Sequence, residues 1–320
     1  MNASGNARAE APVLLDEHAH WLPESLLSLL ARREQPPFAR AEAGGWSFTP
    51  ALRPRPVAPL AWDLAVRAKL LSALRIRRQT LCLSPLWNID SQPVEVALPL
   101  LQAFNDATAE ATGPSTLYRG LAAVPTGDVG AACDELTRAV GLGLEGVVLP
   151  ACVLSTRTSA DRWAPLFALA NERQLRVFVH PGHDPLPAAE DAASVDNPWN
   201  RRYGLGPQHQ VGIAMLTLCD TGWLAAYANV TVQFANLGGS YPFALERLDA
   251  MSERTAEECE KRRLAMRRVV VDSASLGPEA IRCARGLLGE SAVVFGTDIP
   301  LFDARRAAGN WDALSTWPPK

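Results

Sequence analysis

His18 and His20 close an apolar run, Leu14-Leu15-Asp16-Glu17-His18-Ala19-His20, and Pro23 breaks the element soon after. If Val13 to His20 is a strand, its two-residue period puts both imidazoles on one face. Two neutral imidazoles at a strand's end can share a single cation. The chain has five histidines, and a third, His180, ends the run Arg176-Val177-Phe178-Val179-His180. A carboxylate, Asp298, follows the apolar stretch Ala292 to Phe295 within Gly296-Thr297-Asp298-Ile299-Pro300. Each has a plainer reading by itself: histidines in a turn, a core histidine with its hydrogen bonds satisfied, an Asx turn or helix cap at Asp298. Together, three imidazoles and a carboxylate suit one divalent cation. Zn²⁺ is the first expectation and Mn²⁺ the second, with a position left for water or substrate.

Such a site needs elements that bring distant strand ends together. Apolar runs read as strands at Val13–His20, Gln79–Ser84, Tyr118–Val124, Gly143–Pro150, Arg176–His180, Asn229–Asn236, Arg268–Asp272 and Ala292–Phe295. Helical patterns lie between them at Trp62–Leu74, Val94–Thr112, Asp128–Val140 and Ser159–Gln174. Others run from Pro207 to about Tyr227, over Pro242–Arg263 and over Pro278–Leu288. Strands alternating with helices imply a parallel sheet, and runs without strict alternation suit strands covered on both faces. Eight such units imply an α/β fold of the (β/α)₈ barrel class, whose working residues sit at the C-terminal ends of strands. The chain is expected to be one domain over 1–320, with loop insertions at about 21–60 and 182–207. The first holds seven prolines between Leu22 and Leu60 and is expected to be irregular, placed to cover the site.

Composition narrows the function. A net charge of −3, with acids interleaved among the arginines, argues against nucleic acid and anionic membrane as partners. The six cysteines, Cys82, Cys133, Cys152, Cys219, Cys259 and Cys283, form no C-x-x-C pair, as in reduced cytoplasmic proteins. No apolar signal core and no stretch of about 18 apolar residues occurs. The expectation is a soluble cytoplasmic protein. No G-x-G-x-x-G or G-x-x-x-x-G-K-[ST] pattern supports nucleotide binding.

Several segments resemble the amidohydrolase superfamily, specifically the decarboxylase-type branch that includes aminocarboxymuconate-semialdehyde, γ-resorcylate and 5-carboxyvanillate decarboxylases. They are Leu15-Asp16-Glu17-His18-Ala19-His20, Leu81-Cys82-Leu83-Ser84-Pro85, Gly120-Leu121-Ala122-Ala123-Val124-Pro125 and Val177-Phe178-Val179-His180-Pro181. Leu237-Gly238-Gly239-Ser240-Tyr241-Pro242-Phe243, Val271-Asp272-Ser273-Ala274-Ser275 and Val294-Phe295-Gly296-Thr297-Asp298-Ile299-Pro300 follow in register. The resemblance implies a metal-dependent hydrolase-type TIM barrel in which His18, His20, His180 and Asp298 bind one metal. It also implies a homodimer, a loop arginine crossing between subunits, and a small carboxylic acid as substrate. Other branches bridge two metals with a carboxylated lysine from strand four. The only lysines here are Lys69, Lys261 and Lys320, so a mononuclear site remains.

Two departures shape the functional expectation. Where the family has Phe-Ala-His before its glycines, this chain has Phe234-Ala235-Asn236-Leu237-Gly238-Gly239. Asn236 hydrogen-bonds but cannot exchange a proton near neutral pH, so Asp298, His183 or Glu17 is expected to take that role. About twenty residues follow Asp298, so the last helix is expected to be short or absent, with a partner subunit over that side. Trp21, Trp87 with Asn88, Arg201 and Arg202 are the substrate-binding candidates; an arginine facing the metal grips a carboxylate in a two-pronged fork, although a solvated loop charge is the plainer reading. The leading expectation is non-oxidative decarboxylation of an aromatic or conjugated acid, with Asp298 delivering the proton. Hydrolysis of an ester, lactone, amide or C–C bond is the second. Divergence to a rearrangement or to binding alone, because of Asn236, is the third.

Overall fold

The computed structural model describes residues 14–51, 54–183 and 204–314. The first strand, β1 (Leu14–His20), is followed by α1 (Glu24–Leu30) and by β2 (Phe38–Glu42), β3 (Gly45–Thr49) and β4 (Arg55–Val57). Helices α2 (Pro59–Trp62) and α3 (Leu64–Ala73) then lead into β5 (Ile76–Cys82). From there the chain alternates: α4 (Val94–Thr112), β6 (Tyr118–Gly120), β7 (Ala122–Ala123), α5 (Val129–Gly141), β8 (Gly146–Pro150), α6 (Arg157–Arg162), α7 (Ala164–Arg173), β9 (Arg176–His180) and α8 (Gly206–Met215). The final part holds β10 (Thr231–Phe234), α9 (Tyr241–Met251), α10 (Ala256–Met266), β11 (Val269–Asp272), α11 (Pro278–Leu288), β12 (Val293–Val294) and α12 (Ala304–Asp312).

All neighbouring barrel strands are parallel, in the orders β1-β5-β6 and β7-β8-β9-β10-β11-β12. Both gaps between these runs carry backbone hydrogen bonds. Leu121, the one residue between β6 and β7, donates its N–H to the Leu81 carbonyl at 2.9 Å, so β6 and β7 act as a single barrel strand. On the other side Glu17 N–H donates to Phe295 at 2.9 Å, Asp298 N–H to His18 at 2.8 Å, and His20 N–H to Ile299 at 2.6 Å. The expected (β/α)₈ ring is therefore laced together around its circumference. Among the described residues no helix is long and apolar enough to cross a membrane.

Helices seal the outside of this ring through apolar stripes. On α5 the stripe is Ala132, Leu136 and Ala139, all buried, one helical face repeating every three to four residues. Asp128 caps that helix, its carboxylate accepting the Ala131 N–H at 2.9 Å, which satisfies one of the unpaired N–H groups of the first turn.

β1 departs from simple alternation. Asp16 pairs with Gln79 and Ala19 with Leu81, so three steps on β1 oppose two on β5, a β-bulge. The consequence is that Glu17 and His18 both enter the barrel. The Glu17 carboxylate reaches Arg176 on the opposite strand β9 at 2.6 Å, and the His18 ring lies 4.9 Å from Phe178. Asp16 turns the other way, toward α3. It accepts hydrogen bonds from Gln79 Nε2 (2.6 Å), Thr297 Oγ1 (2.6 Å) and Thr297 N–H (2.9 Å). Burial nevertheless pushes its carboxyl up to about 6.

Three expectations change. The proline-rich segment is a three-stranded antiparallel sheet, β2-β3-β4. Its prolines fall outside ladder positions or on the edge: Pro36-Pro37 precede β2, and Pro56 lies on the edge strand β4, where a missing N–H is tolerated. Gly44, at φ +92°, makes the β2–β3 turn. The helix expected to reach Tyr227 ends as α-helix at Met215, then continues as a wider turn over Leu216–Asp220 and a 3₁₀ turn over Trp223–Ala226. The stretch Pro242–Arg263 is two helices, because Thr255 and Glu258 form a reciprocal cap that starts α10. The last helix, α12, is short, nine residues, within the expectation of a short or absent one.

Asp90, in the loop between β5 and α4, supplies a test of the packing at the strand ends. Its carbonyl accepts Thr126 N–H (2.8 Å) and Oγ1 (3.0 Å), tying the loop after β5 to the loop after β7. Burial pushes its carboxyl up to about 7, against the pull of nearby backbone N–H groups. A folded-state value above the unfolded one means the native protein holds the extra proton between about pH 4 and pH 7. That contribution to stability is complete at lower pH and is lost as pH rises through this window, at up to about 1.4 kcal/mol per pH unit. In urea titrations between pH 5 and 8, Asp90→Asn is expected to gain stability relative to the unsubstituted protein as pH rises. Parallel stability curves contradict the placement of this carboxyl in a dry interior.

Candidate metal centre

The bulged β1 delivers His18 and His20 to the barrel mouth, where β9 supplies His180 from across the ring. The segment after β12 adds Asp298 from next door. One donor atom from each of these four buried residues lies within 4.8 Å of the other three. His18 Nε2 is 3.2 Å from His20 Nε2, and Asp298 Oδ1 is 3.1 Å from His20 Nε2 and 3.5 Å from His18 Nε2. The three rings meet edge to face, with centroids 4.7–5.0 Å apart. Gly296 makes the approach possible: a Cβ there lies 2.8 Å from the His18 Cβ. Asp298 itself sits at φ +58°, a left-handed conformation that costs energy for a residue with a side chain and recurs at functional positions.

Each ring is turned by a different partner at Nδ1. For His18 the partner is the Asp272 carboxylate at 3.0 Å, for His20 the Cys82 sulfur at 3.4 Å, and for His180 the Pro181 carbonyl at 2.8 Å. Such contacts fix the orientation of a ligating imidazole and leave Nε2 for a metal. Burial opposes charge on His18, but Asp272, Asp298 and Asp16 outweigh it and push the ring up to about 9. Burial, then the neighbouring imidazoles, hold His20 and His180 well below the usual histidine range. Burial raises the Asp298 carboxyl, with His18 and His180 pulling it back.

The residues fit a cation. Asp298 Oδ1 is buried and accepts no hydrogen bond, a costly state for a carboxylate oxygen unless a positive charge meets it. Three nitrogens and one carboxylate oxygen make a donor set for a first-row divalent ion.

The other expected site residues divide. Trp87 is buried at the mouth, its ring 5.6 Å from His20 and 6.1 Å from Phe48 on β3. Asn88, beside it, donates to the Pro50 carbonyl at 3.4 Å, tying this loop to the antiparallel sheet. Trp21 instead packs into the helical layer, its Nε1 donating to the Trp62 carbonyl at 3.3 Å and its ring near Phe104 of α4. Asn236 is buried at φ +53°, and its N–H donates to Asp272 Oδ1 at 3.2 Å, the oxygen that also meets His18. His183 is half-buried just past β9; Arg201 and Arg202 lie outside the described residues. Glu17 is locked below the rings by Arg119 at 3.0 Å and Arg176 at 2.6 Å, which hold its carboxyl below the usual glutamate range against the effect of burial. It is therefore not the proton-transfer group. Asp272, Cys82 and Phe48 escaped the sequence reading. Asp272 ends an apolar run and lies within a segment that carries the family resemblance, but nothing local gives it a role beside an imidazole.

The amidohydrolase family profile matches residues 15–316. A 2-amino-3-carboxymuconate-6-semialdehyde decarboxylase of Dictyostelium discoideum is 26% identical over 251 residues, 75% of this chain and 67% of that one. Among solved structures, 5-carboxyvanillate decarboxylase from Sphingomonas paucimobilis superposes with a TM-score of 0.75 at 16% identity, covering 96% of this chain and 94% of the other. Dihydroxybenzoic acid decarboxylase from Polaromonas sp. JS666, with bound manganese and 2-nitroresorcinol, gives 0.72 at 19%, covering 96% and 92%. With the profile spanning nearly every described residue, from β1 through α12, the chain belongs to the amidohydrolase family.

Proposed function

We propose that this protein is a metal-dependent, non-oxidative decarboxylase of a small aromatic or conjugated carboxylic acid. The observation that carries the reading is the buried set of His18, His20, His180 and Asp298, with an unpaired carboxylate oxygen facing imidazole nitrogens. The named relatives, decarboxylases of such acids, support it. These four residues hold one divalent ion. Zn²⁺ suits the three nitrogens and one oxygen, and manganese is found in the Polaromonas relative. A cation in this position supplies positive charge against a substrate carboxylate and the negative charge that grows as CO₂ leaves.

The chain's own residues do the rest. Trp87 and Phe48 form an apolar wall beside His20 that takes the flat face of a conjugated acid and keeps water away. Decarboxylation exchanges CO₂ for a proton on the same carbon, so one group must deliver that proton. Asp298 is our assignment, by its place among the donors; His183, three residues beyond His180, is the alternative. Asn236 accounts for the preference over hydrolysis, since an amide can orient a substrate but cannot accept a proton from water. Arg201 and Arg202 remain candidates for gripping the substrate carboxylate. The scattered cysteines, with no C-x-x-C pair, fit a cytoplasmic setting. A homodimer, which the family resemblance implies, is part of the proposal.

Purified protein given Zn²⁺ or Mn²⁺ is expected to release CO₂ from at least one member of a panel of hydroxybenzoates and carboxymuconate-like acids. Chelation or His180→Ala is expected to lower the rate at least about 100-fold. A panel that yields no CO₂, or an organic product carrying ¹⁸O from labelled water, removes the reading. Asn236→His is expected to keep the metal and to add a new limb near pH 6–7 to the pH–rate profile, where imidazole titrates. An unchanged profile contradicts a place for residue 236 beside the reacting atoms.

A further inference from the structure

Below the four donors the barrel interior holds a second buried polar set that the proposed chemistry does not use. The Glu17 carboxylate accepts from Arg176 Nη1 (2.6 Å), Arg119 Nη2 (3.0 Å) and Thr80 Oγ1 (2.9 Å). Gln233, on β10 and fully buried, stands between this ion cluster and the mouth. Its Oε1 accepts from the same Arg176 Nη1 at 3.1 Å. Its Nε2 donates to Asp272 Oδ2 at 2.8 Å and to the Glu17 carbonyl at 3.1 Å. Asp272 Oδ1, in turn, is the partner of His18 Nδ1. An unbroken path of polar contacts thus runs from the floor of the barrel to one imidazole of the candidate metal centre.

The amide of Gln233 has one workable orientation. A guanidinium only donates, so the oxygen must face Arg176, and the nitrogen is left to face Asp272. A buried ion cluster seldom stabilises a fold more than apolar packing of the same volume. Such groups are kept where they fix one arrangement among several. On the reading of the site given above, we propose that Gln233 is a positioning residue for His18. Arg176 fixes the Gln233 amide, Gln233 holds the Asp272 carboxylate, and Asp272 sets the rotation of the His18 ring so that Nε2 faces the other donors. Removing the Gln233 amide frees Asp272 Oδ2 and loosens the ring.

The test is a double-mutant cycle on Mn²⁺ binding, read from the electron paramagnetic resonance signal of free Mn²⁺, with circular dichroism confirming the fold. Gln233→Met is expected to weaken binding about 10-fold or more. In an Asp272→Asn background the same change is expected to cost less than about twofold, because the residue through which it acts is already altered. Gln233→Met binding within twofold of the unsubstituted protein, or an equal loss in both backgrounds, overturns the proposal. A residue that merely fills space gives the second result. If Gln233→Met does not fold, Gln233→Glu takes its place with the same expectations, since it keeps the shape and the Arg176 contact but removes both donors. Unsubstituted protein that binds no Mn²⁺ overturns the metal reading itself, and with it this inference. Normal binding with an indifferent Gln233 overturns this inference alone.

Discussion

Three imidazoles and a carboxylate do not gather unaided in a dry interior. Each loses hydration there, and each needs a partner that the others supply only in part. The closure of the barrel at β1 forces them together. The His18 carbonyl accepts the Asp298 N–H, and His20 N–H donates to Ile299, so the backbone bonds that shut the ring also set the spacing of three donors. His180 arrives from the opposite strand, which the width of an eight-stranded ring brings within reach. A divalent ion held as proposed would make this arrangement favourable rather than merely enforced.

Because β1 carries that burden, it is pinned on both sides. Outside the barrel, the fully buried Arg67 of α3 donates to the His20 carbonyl at 2.6 Å, the Leu60 carbonyl at 2.6 Å and Gln79 Oε1 at 3.3 Å. Gln79 passes the constraint on to Asp16, and Asp16 to Thr297 across the seam. Burial pulls the Arg67 guanidinium down to about 10, a sign of how little water reaches this clamp. Inside the barrel, Asp272 and Gln233 address His18 from below. Two polar networks on opposite faces of one strand thus converge on the carbonyl of one candidate ligand and the ring of another. The bulge between them lets Glu17 and His18 point inward together.

The four candidate donors are legible as candidates because they stand at or just past the ends of apolar runs, a pattern that sheet geometry makes readable without contacts. The alternation of strands and helices is legible for the same reason, and the Arg176–His180 strand to the residue. The bulge was not legible, since nothing in Leu14–His20 announces the extra residue. Glu17 therefore stood among the proton-transfer candidates until its two arginines appeared. Asp272 lies 254 positions from His18, and Gln233 sits mid-strand, where one amide carries no local signal. The antiparallel sheet was hidden by its own prolines, although Phe38-Ala39-Arg40-Ala41-Glu42 and Trp46-Ser47-Phe48-Thr49 carry the side-to-side alternation of strands. Those prolines stand before strands, between them or on an edge, where they leave the ladder intact.

One metal ion in the space between those four residues is the central requirement. Elemental analysis of purified protein, paired with anomalous X-ray scattering from its crystals, addresses this directly. The expected result is one divalent ion per chain, bonded to His18, His20 and His180 through nitrogen and to Asp298 through oxygen. A protein that takes up no metal, binds two ions at the mouth, or carries its single ion away from these donors contradicts it.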